Sequence, residues 1–312
     1  MRTLVTGGAG FVGSAVVEAL NAQGHEVYVV DDLSTGKLSN LADARKRGHV
    51  QFHRFDIRSD RIAELFEQVK PEVVLNLAAQ ASVPRSVADP IHDAEVNTLG
   101  LLRVLDACVK ADVRKVVHAS SGGTIYGAQR KYPIRETAKG RPESPYGIAK
   151  RAGEDYLRFY KDKHGLDFTS LAPANIYGPR QDPHGEACVV AIFALKLVRG
   201  EQPTIYGTGE QTRDFVYVVD AADAFVKACD AASGETVNVG TGIETSINDL
   251  YERMADAAGF TGEPLRGPAR AGDLKRNALD PAKAVDVLGW KPWTSLAEGL
   301  RSTVGWFQRN AD

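Results

Sequence analysis

The chain has 312 residues, 43% hydrophobic and 25% charged, with a formal net charge of −2, the composition of an ordinary soluble globular protein long enough for about two domains. No basic excess marks a nucleic-acid partner. No segment reaches the ~18 consecutive apolar residues of a membrane span, and the first apolar run meets glycine too soon for a signal peptide, so no membrane partner is expected and the expected compartment is the cytoplasm. Leu4 and Val5 read as a strand running into Gly7-Gly8-Ala9-Gly10-Phe11-Val12-Gly13, after which Val12, Val16, Val17 and Leu20 form a helical stripe. Strand, glycine turn and helix are the unit that holds a pyrophosphate: the glycines admit it close to the backbone, and the helix start offers unpaired N–H groups. Gly7, Gly10, Phe11, Val12 and Gly13 are therefore candidate dinucleotide contacts.

The next strand, 26–30, ends in Asp31-Asp32, about 20 residues past the glycines, where a carboxylate binds the adenosine ribose diol. A carboxylate there repels a 2′-phosphate and no arginine follows in Leu33-Ser34-Thr35-Gly36, so the spacing points to NAD rather than NADP. Asp31, Asp32, Ser34, Thr35 and Gly36 join the candidate set.

Strands at 50–55, 72–77 and 113–119 alternate with helices at about 60–69 and 93–110, which predicts an α/β fold with a doubly wound parallel sheet. Ligands of such sheets sit beyond the C-terminal strand ends. Asp56 and Ile57 are placed beside the adenine, Ala78 and Ala79 where the cofactor passes, and Leu77, Ala119 and Pro173 in the same row of strand-closing residues. His49 and His53 are close in sequence, but four residues along a strand separate them by ~13 Å, too far to share a metal, and none is expected. Cys108, Cys188 and Cys229 are odd in number and far apart, which suits a reducing compartment without disulfides.

Beyond Ala119, Ser120-Ser121-Gly122-Gly123-Thr124-Ile125-Tyr126-Gly127 brings hydroxyls that can bind a sugar hydroxyl or carbonyl, or only the backbone of a strand end. A polar loop then leads to Ser144-Pro145-Tyr146-Gly147-Ile148-Ala149-Lys150. Pro145 suits a first helical turn, and Ile148, Ala149, Ala152, Tyr156, Leu157 and Tyr160 recur at helical spacing. Tyr146 and Lys150 then share a face about 5–6 Å apart. An ammonium nearby favours the phenolate of a group whose free pKa is about 10, making a base for an alcohol proton. Alone, such a pair is more often an ordinary solvated helix face; the glycine turn and the acid are what lift it.

From Pro173 the connections lengthen and grow rich in Gly, Pro and Arg. Helices at about 187–198, 246–258, 281–288 and 296–309 predict a smaller α/β substrate domain, while 215–219, 220–231 and 236–239 look like an excursion back to the first. The expected division is 1–172 plus 214–240 for the dinucleotide and 173–213 plus 241–312 for the substrate. The apolar face of 97–109 (Leu101, Leu105, Cys108) is expected to pack on the sheet.

T-G-G-A-G-F-V-G at 6–13, the acid at 31, S-S-G-G-T-I-Y-G at 120–127 and S-P-Y-G-I-A-K at 144–150 resemble the extended short-chain dehydrogenase/reductases that act on nucleotide sugars. The likeness continues through P-A-N-I-Y-G-P-R-Q-D-P at 173–183, T-R-D-F-V-Y-V-V-D at 212–220, N-V-G-T-G at 238–242 and P-A-R-A-G-D at 268–273, nearly the whole chain. The resemblance implies a Rossmann-like NAD domain with Asn97 in the cofactor set, a UDP-sugar substrate, and a homodimer. The activity it implies is epimerisation at C4 between UDP-glucose and UDP-galactose through a 4-keto sugar. It places Asn175 on the phosphates, Arg213 and Arg270 on the UDP, Asp273 on the uridine ribose, and Val189 and Val190 near the uracil. Asn277 falls beside the sugar C2 substituent, where its middling size leaves room for N-acetylhexosamines.

The same resemblance puts the catalytic Ser or Thr four residues before Tyr126, which is Gly122; counting from the strand gives Ser121, with Thr124 as the fallback. Nucleotide-sugar 4,6-dehydratases, the runner-up, carry an Asp-Glu pair where this chain has Gly123-Thr124, so an acid to remove water is missing. A non-catalytic NAD-binding sensor, the third reading, has no reason to keep Tyr146, Lys150 and two UDP-gripping arginines.

Overall fold

The computed structural model describes residues 1–184, 188–270 and 273–310. The chain begins β1 (Arg2–Thr6), α1 (Phe11–Ala22), β2 (Glu26–Asp31), α2 (Ala42–Arg47), β3 (Val50–Arg54), α3 (Arg61–Val69) and β4 (Val73–Asn76). It continues α4 (Val83–Ala88), α5 (Pro90–Ala94), α6 (Gly100–Lys110), β5 (Lys115–Ala119), α7 (Pro145–His164), β6 (Asp167–Pro173) and β7 (Asn175–Tyr177). The remainder holds α8 (Val189–Val198), β8 (Thr204–Tyr206), β9 (Thr212–Arg213), β10 (Phe215–Tyr217), α9 (Val218–Ala228) and β11 (Glu235–Val239). Last come β12 (Thr245–Ser246), α10 (Ile247–Ala258), β13 (Leu265–Gly267), α11 (Ala282–Leu288) and α12 (Leu296–Asn310).

Seven of these strands form one parallel sheet in the order β11-β6-β5-β4-β1-β2-β3. Its strands are apolar runs because helices cover both faces. On one face α1 and α9 bury Val16, Val17, Leu20 and Phe225; on the other α3, α6 and α7 bury Phe66, Leu101, Leu105, Cys108 and Leu157. The strand order reverses between β1 and β4, so a crevice opens beyond their C-terminal ends. That is where Gly7 and Leu77 begin.

A separate cluster of Tyr177, Phe193, Leu250, Met254, Leu300 and Phe307 packs α8, α10 and α12 together. Leu279, Ala284, Leu288 and Trp290, expected in the substrate unit, lie instead in the core of the large sheet, because α11 packs on β11. Asp214, fully buried, ties these segments: its carboxylate accepts from Thr241 N and Oγ1, Gly242 N and Leu279 N.

The helix expected over 93–110 runs through with one wider turn inside it. α5 stops at Ala94, a π-helical turn spans Glu95–Leu99, and α6 starts at Gly100. The wider turn delivers Asn97 to the segment after β4: its Nδ2 donates to Gln80 O and Asp93 Oδ1, and its Oδ1 accepts from Gln80 N. Such turns often mark functional positions. The helix expected over 187–198 begins at Val189, and Ala187 lies outside the described residues.

Candidate active site

β1 delivers the chain to Gly7, which has a φ of +68° and where a Cβ would stand 2.7 Å from Ala78 N. At Gly13 a Cβ would stand 2.1 Å from Gly7 O. Only glycine satisfies both the dihedral and the close approach. Gly10 caps α1 without a side chain, which leaves the first-turn N–H groups, on Phe11 and Val12 among them, open to an anion. Asp31, 8% exposed at the end of β2, accepts from Ala9 N at 2.9 Å and Leu33 N at 2.8 Å. Burial pushes its carboxyl pKa up while those N–H groups pull it down. Gly36 packs against it, since a Cβ there would lie 2.8 Å from Asp31 Oδ1. Asp32, Ser34 and Thr35 are exposed on the rim, Asp32 accepting from Ser34 N.

Across the crevice Leu77 N donates to Thr6 O and Ala78 N to Thr6 Oγ1, with Ala78 and Ala79 partly exposed. Three residues expected on the cofactor, Asp56, Ile57 and Asn97, also have partners within the protein. Asp56 is gripped by Arg58 through N, Nε and Nη2, which holds its carboxyl below the usual range, and Ile57 is buried against Gly100. Asn97, buried and bonded to Gln80 and Asp93, fixes the loop after β4 instead of presenting its amide.

β5 ends at Ala119 and α7 starts at Pro145, with Ser144 Oγ accepting from Gly147 N at 3.1 Å. Lys150, 2% exposed, donates from Nζ to Ala119 O at 2.8 Å and stands 5.7 Å from the centroid of the Tyr146 ring. The Ser121 side chain lies near enough to Tyr146 to draw its pKa down. Thr124 Oγ1 turns back on Ser121 O at 3.5 Å. No side chain fits at Gly122, where a Cβ would come within 2.3 Å of Leu279 Cδ1 and 2.8 Å of Ala172 O, while Gly122 N donates to Pro173 O. Of the two hydroxyls, Ser121 is the one that draws the Tyr146 pKa down.

The charge balance differs from the expectation of an acidified phenol. Burial pushes the Tyr146 pKa up to about 12, Ser121 draws it down, and the negative Asp93 adds to the rise. Burial brings Lys150 down to about 8, opposed by Asp93. Desolvation disfavours either charged form, so Lys150 alone does not make Tyr146 a base; a further cation beside the ring is what the pair requires. Asp93 was not anticipated. It is 1% exposed and accepts from Gln80 Nε2 at 2.8 Å and Asn97 Nδ2 at 2.9 Å. Its signal was present in the polar pair at 93 and 97, one turn apart on a helix.

On the substrate side Arg213 and Asp273, expected on different parts of a UDP, meet each other in an ion pair. Arg213 Nη1 also donates to Thr212 O and Leu274 O. The Arg270 guanidinium lies 4.1 Å from the Tyr206 ring centroid. Asn175 is partly exposed in β7, its N donating to Asp214 O. Val189 is partly exposed, but Val190 is 2% exposed among Phe193 and Leu250 and is a core residue, because the next residue along a helix faces another way. Asn277 is 2% exposed, its Nδ2 3.4 Å from Gly122 O and its Oδ1 buried without a protein partner. Among the described residues, no three His, Cys, Asp or Glu converge as a metal site would need.

A family model described as "NAD dependent epimerase/dehydratase family" matches residues 3–240. The chain belongs to that family. It is 49% identical, with 100% of both chains covered, to a UDP-glucose 4-epimerase of Mycolicibacterium smegmatis. A UDP-glucose 4-epimerase of Thermotoga maritima solved with UDP-glucose superposes at a TM-score of 0.97, with 44% identity and 100% of each chain covered. One from Thermus thermophilus in complex with NAD gives 0.93, with 44% identity and 99% of each chain covered.

As an NAD dependent epimerase/dehydratase the chain uses NAD, and its own residues fit the group. The two glycines that no side chain could replace, the uncapped start of α1 and a carboxylate at the end of β2 are arranged for a pyrophosphate and a ribose diol.

Proposed function

We propose that the protein interconverts UDP-glucose and UDP-galactose at C4. The observation that carries this reading is the Ser121, Tyr146 and Lys150 group at the same C-terminal edge of the sheet as the glycine turn. Bound NAD would supply the acceptor and later the donor of a hydride at sugar C4. Tyr146 takes the proton of the C4 hydroxyl and gives it back, Ser121 holds the same oxygen as it becomes a carbonyl, and Lys150 supplies positive charge under the ring. A base so placed contributes about 10²–10⁴ in rate. Inversion requires the 4-keto sugar to turn over while its nucleotide stays held. Arg213 and Arg270 suit that task, since planar guanidinium forks match a diphosphate better than lysines, with Asn175, Asp273 and Val189 completing the grip. In this reading 1–172 plus 214–240 carry the dinucleotide and 173–213 plus 241–312 the sugar nucleotide, with 279–290 bracing the two.

Incubation with UDP-galactose, without added oxidant or reductant, should yield UDP-glucose by NMR. Accumulation of a 4-keto-6-deoxy sugar would point to dehydration, for which Gly123 and Thr124 offer no acid. Protein that carries NAD yet converts no nucleotide sugar would be a sensor.

Asn277 governs breadth. Its unpartnered Oδ1 beside Gly122 is free to accept from the N–H of an N-acetyl group at C2. Asn277→Tyr should lower kcat/KM for UDP-N-acetylgalactosamine relative to UDP-galactose by about tenfold or more, the scale of misfit in a tight pocket. Equal ratios in parent and variant would remove Asn277 from that role.

The partner we propose is a second copy. Val87, Ile91, Leu99, Ile148 and Phe159 are each at least 50% exposed, on α4, α5, the π turn and α7, which pack side by side. So many large apolar groups on one helical face mark an interface. Phe159→Glu combined with Ile91→Glu should halve the mass seen by light scattering; an unchanged mass would place the interface elsewhere. No helix among the described residues is long and apolar enough to cross a membrane. The compartment we propose is the cytoplasm, where the three cysteines, free in the structure, would stay reduced.

A further inference from the structure

Three residues spaced one turn apart on α7 hold three consecutive residues at the end of β5. Lys150 Nζ donates to Ala119 O at 2.8 Å, Ser120 Oγ donates to Glu154 Oε1 at 2.9 Å, and Tyr146 stands beside Ser121, which draws its pKa down. The proposed chemistry uses the first and the last of these contacts. The middle one is left over, and it is the most deeply buried: Ser120 is 3% exposed and Glu154 fully buried. Glu154 Oε2 is ion-paired with Arg151 Nη1 at 3.2 Å, so both carboxylate oxygens are engaged.

Stability does not account for this pair. A carboxylate taken out of water gains little over a well-packed apolar side chain of the same volume. What the pair offers is a directional contact next to Ser121. The residues that follow, Gly122 and Gly123, are the least able to hold a conformation by themselves; Gly122 is anchored through its N–H to Pro173 O and through its O, at 3.4 Å, to Asn277 Nδ2. The Ser121 carbonyl accepts from Thr124 N and Ile125 N, both at 3.0 Å, and the Ser120 side chain fixes the backbone on its other side.

We propose that Glu154, acting through Ser120, is a positioning residue that keeps the Ser121 hydroxyl on the Tyr146 hydroxyl. It touches neither substrate nor cofactor. Its effect is on where the proton-handling pair sits, not on how tightly the sugar nucleotide binds.

The inference rests on the epimerase reading, which turnover of UDP-galactose by the parent protein tests separately. Four proteins then decide the inference: parent, Ser120→Ala, Glu154→Leu and Glu154→Gln, each assayed for kcat, KM and Tm. Ser120→Ala removes one hydroxyl and is the variant least able to unfold the chain. Ser120→Ala and Glu154→Leu should lower kcat by about tenfold to a hundredfold, the range for small misplacements of a reacting group, with KM within about twofold. Glu154→Gln keeps an acceptor oxygen for Ser120 and should recover to within about threefold of the parent.

A second readout does not depend on turnover. Titration of Tyr146, followed by tyrosinate absorbance as the difference from a Tyr146→Phe background, should move upward in Ser120→Ala and Glu154→Leu, because a lost Ser121 bond no longer stabilises the phenolate. In Glu154→Gln it should stay with the parent. A Ser120→Ala protein with parental kcat and Tyr146 titration would overturn the proposal. So would losses that follow Tm in every variant with no recovery in Glu154→Gln.

Discussion

Tyr146→Phe should lower kcat for UDP-galactose by about 10²- to 10⁴-fold, the contribution of one positioned acid–base group, while leaving bound NAD and Tm near the parental values. The substitution deletes one oxygen and keeps the ring against which Lys150 stands at 5.7 Å. Ser121 loses its partner and Lys150 keeps its bond to Ala119 O. In the proposed mechanism the phenol handles the proton; burial pushes its pKa up to about 12, and the positive charge of an oxidised nicotinamide ring beside it would bring that value down. The check is steady-state kinetics with NAD content measured on the same preparation. A rate within tenfold of the parent would assign the proton to another group.

Gly13→Ala should abolish retention of NAD and lower stability with it. The added methyl would stand 2.1 Å from Gly7 O and 2.8 Å from Gly7 C, both backbone atoms that no rotamer change can move aside. Relief requires α1 to back away from the turn, which dismantles the anion-receptive helix start and costs on the order of 1–3 kcal/mol or more, as overpacking does. Gly305→Ala is the control. It lies on α12, where the nearest contact of a new Cβ would be Arg309 Nη1 at 3.5 Å, an ordinary separation. Nucleotide released on denaturation and Tm report both effects, and a Gly13→Ala protein that still carries NAD would contradict the reading of the turn.

What could be read from the sequence was what is local. The glycine turn, Asp31 and the Tyr146–Lys150 spacing follow from dihedral needs and helical period within a few residues, and the parallel sheet follows from alternation. The need for glycine at 122 was not local: Leu279 arrives from the far end of the chain to exclude a side chain there. The pairing of Arg213 with Asp273 likewise joins segments that sequence spacing keeps apart. Val190 was misplaced because one helical step separates a rim position from a core one. The wider turn around Asn97 had a legible cause only after Gln80 was seen beside it, whereas Ser82 and Asp89, each followed closely by proline, were cap signals for α4 and α5 that passed unnoticed. The proximity of a lysine to the phenol was legible, and the burial that opposes it was not.

The central claim is that Tyr146 works beside one resident NAD that takes hydrogen from sugar C4 and returns it to the opposite face. UDP-galactose carrying deuterium at C4 tests this most directly. The account predicts UDP-glucose with the deuterium still at C4 in ordinary water. Product with hydrogen from solvent at C4 would contradict it.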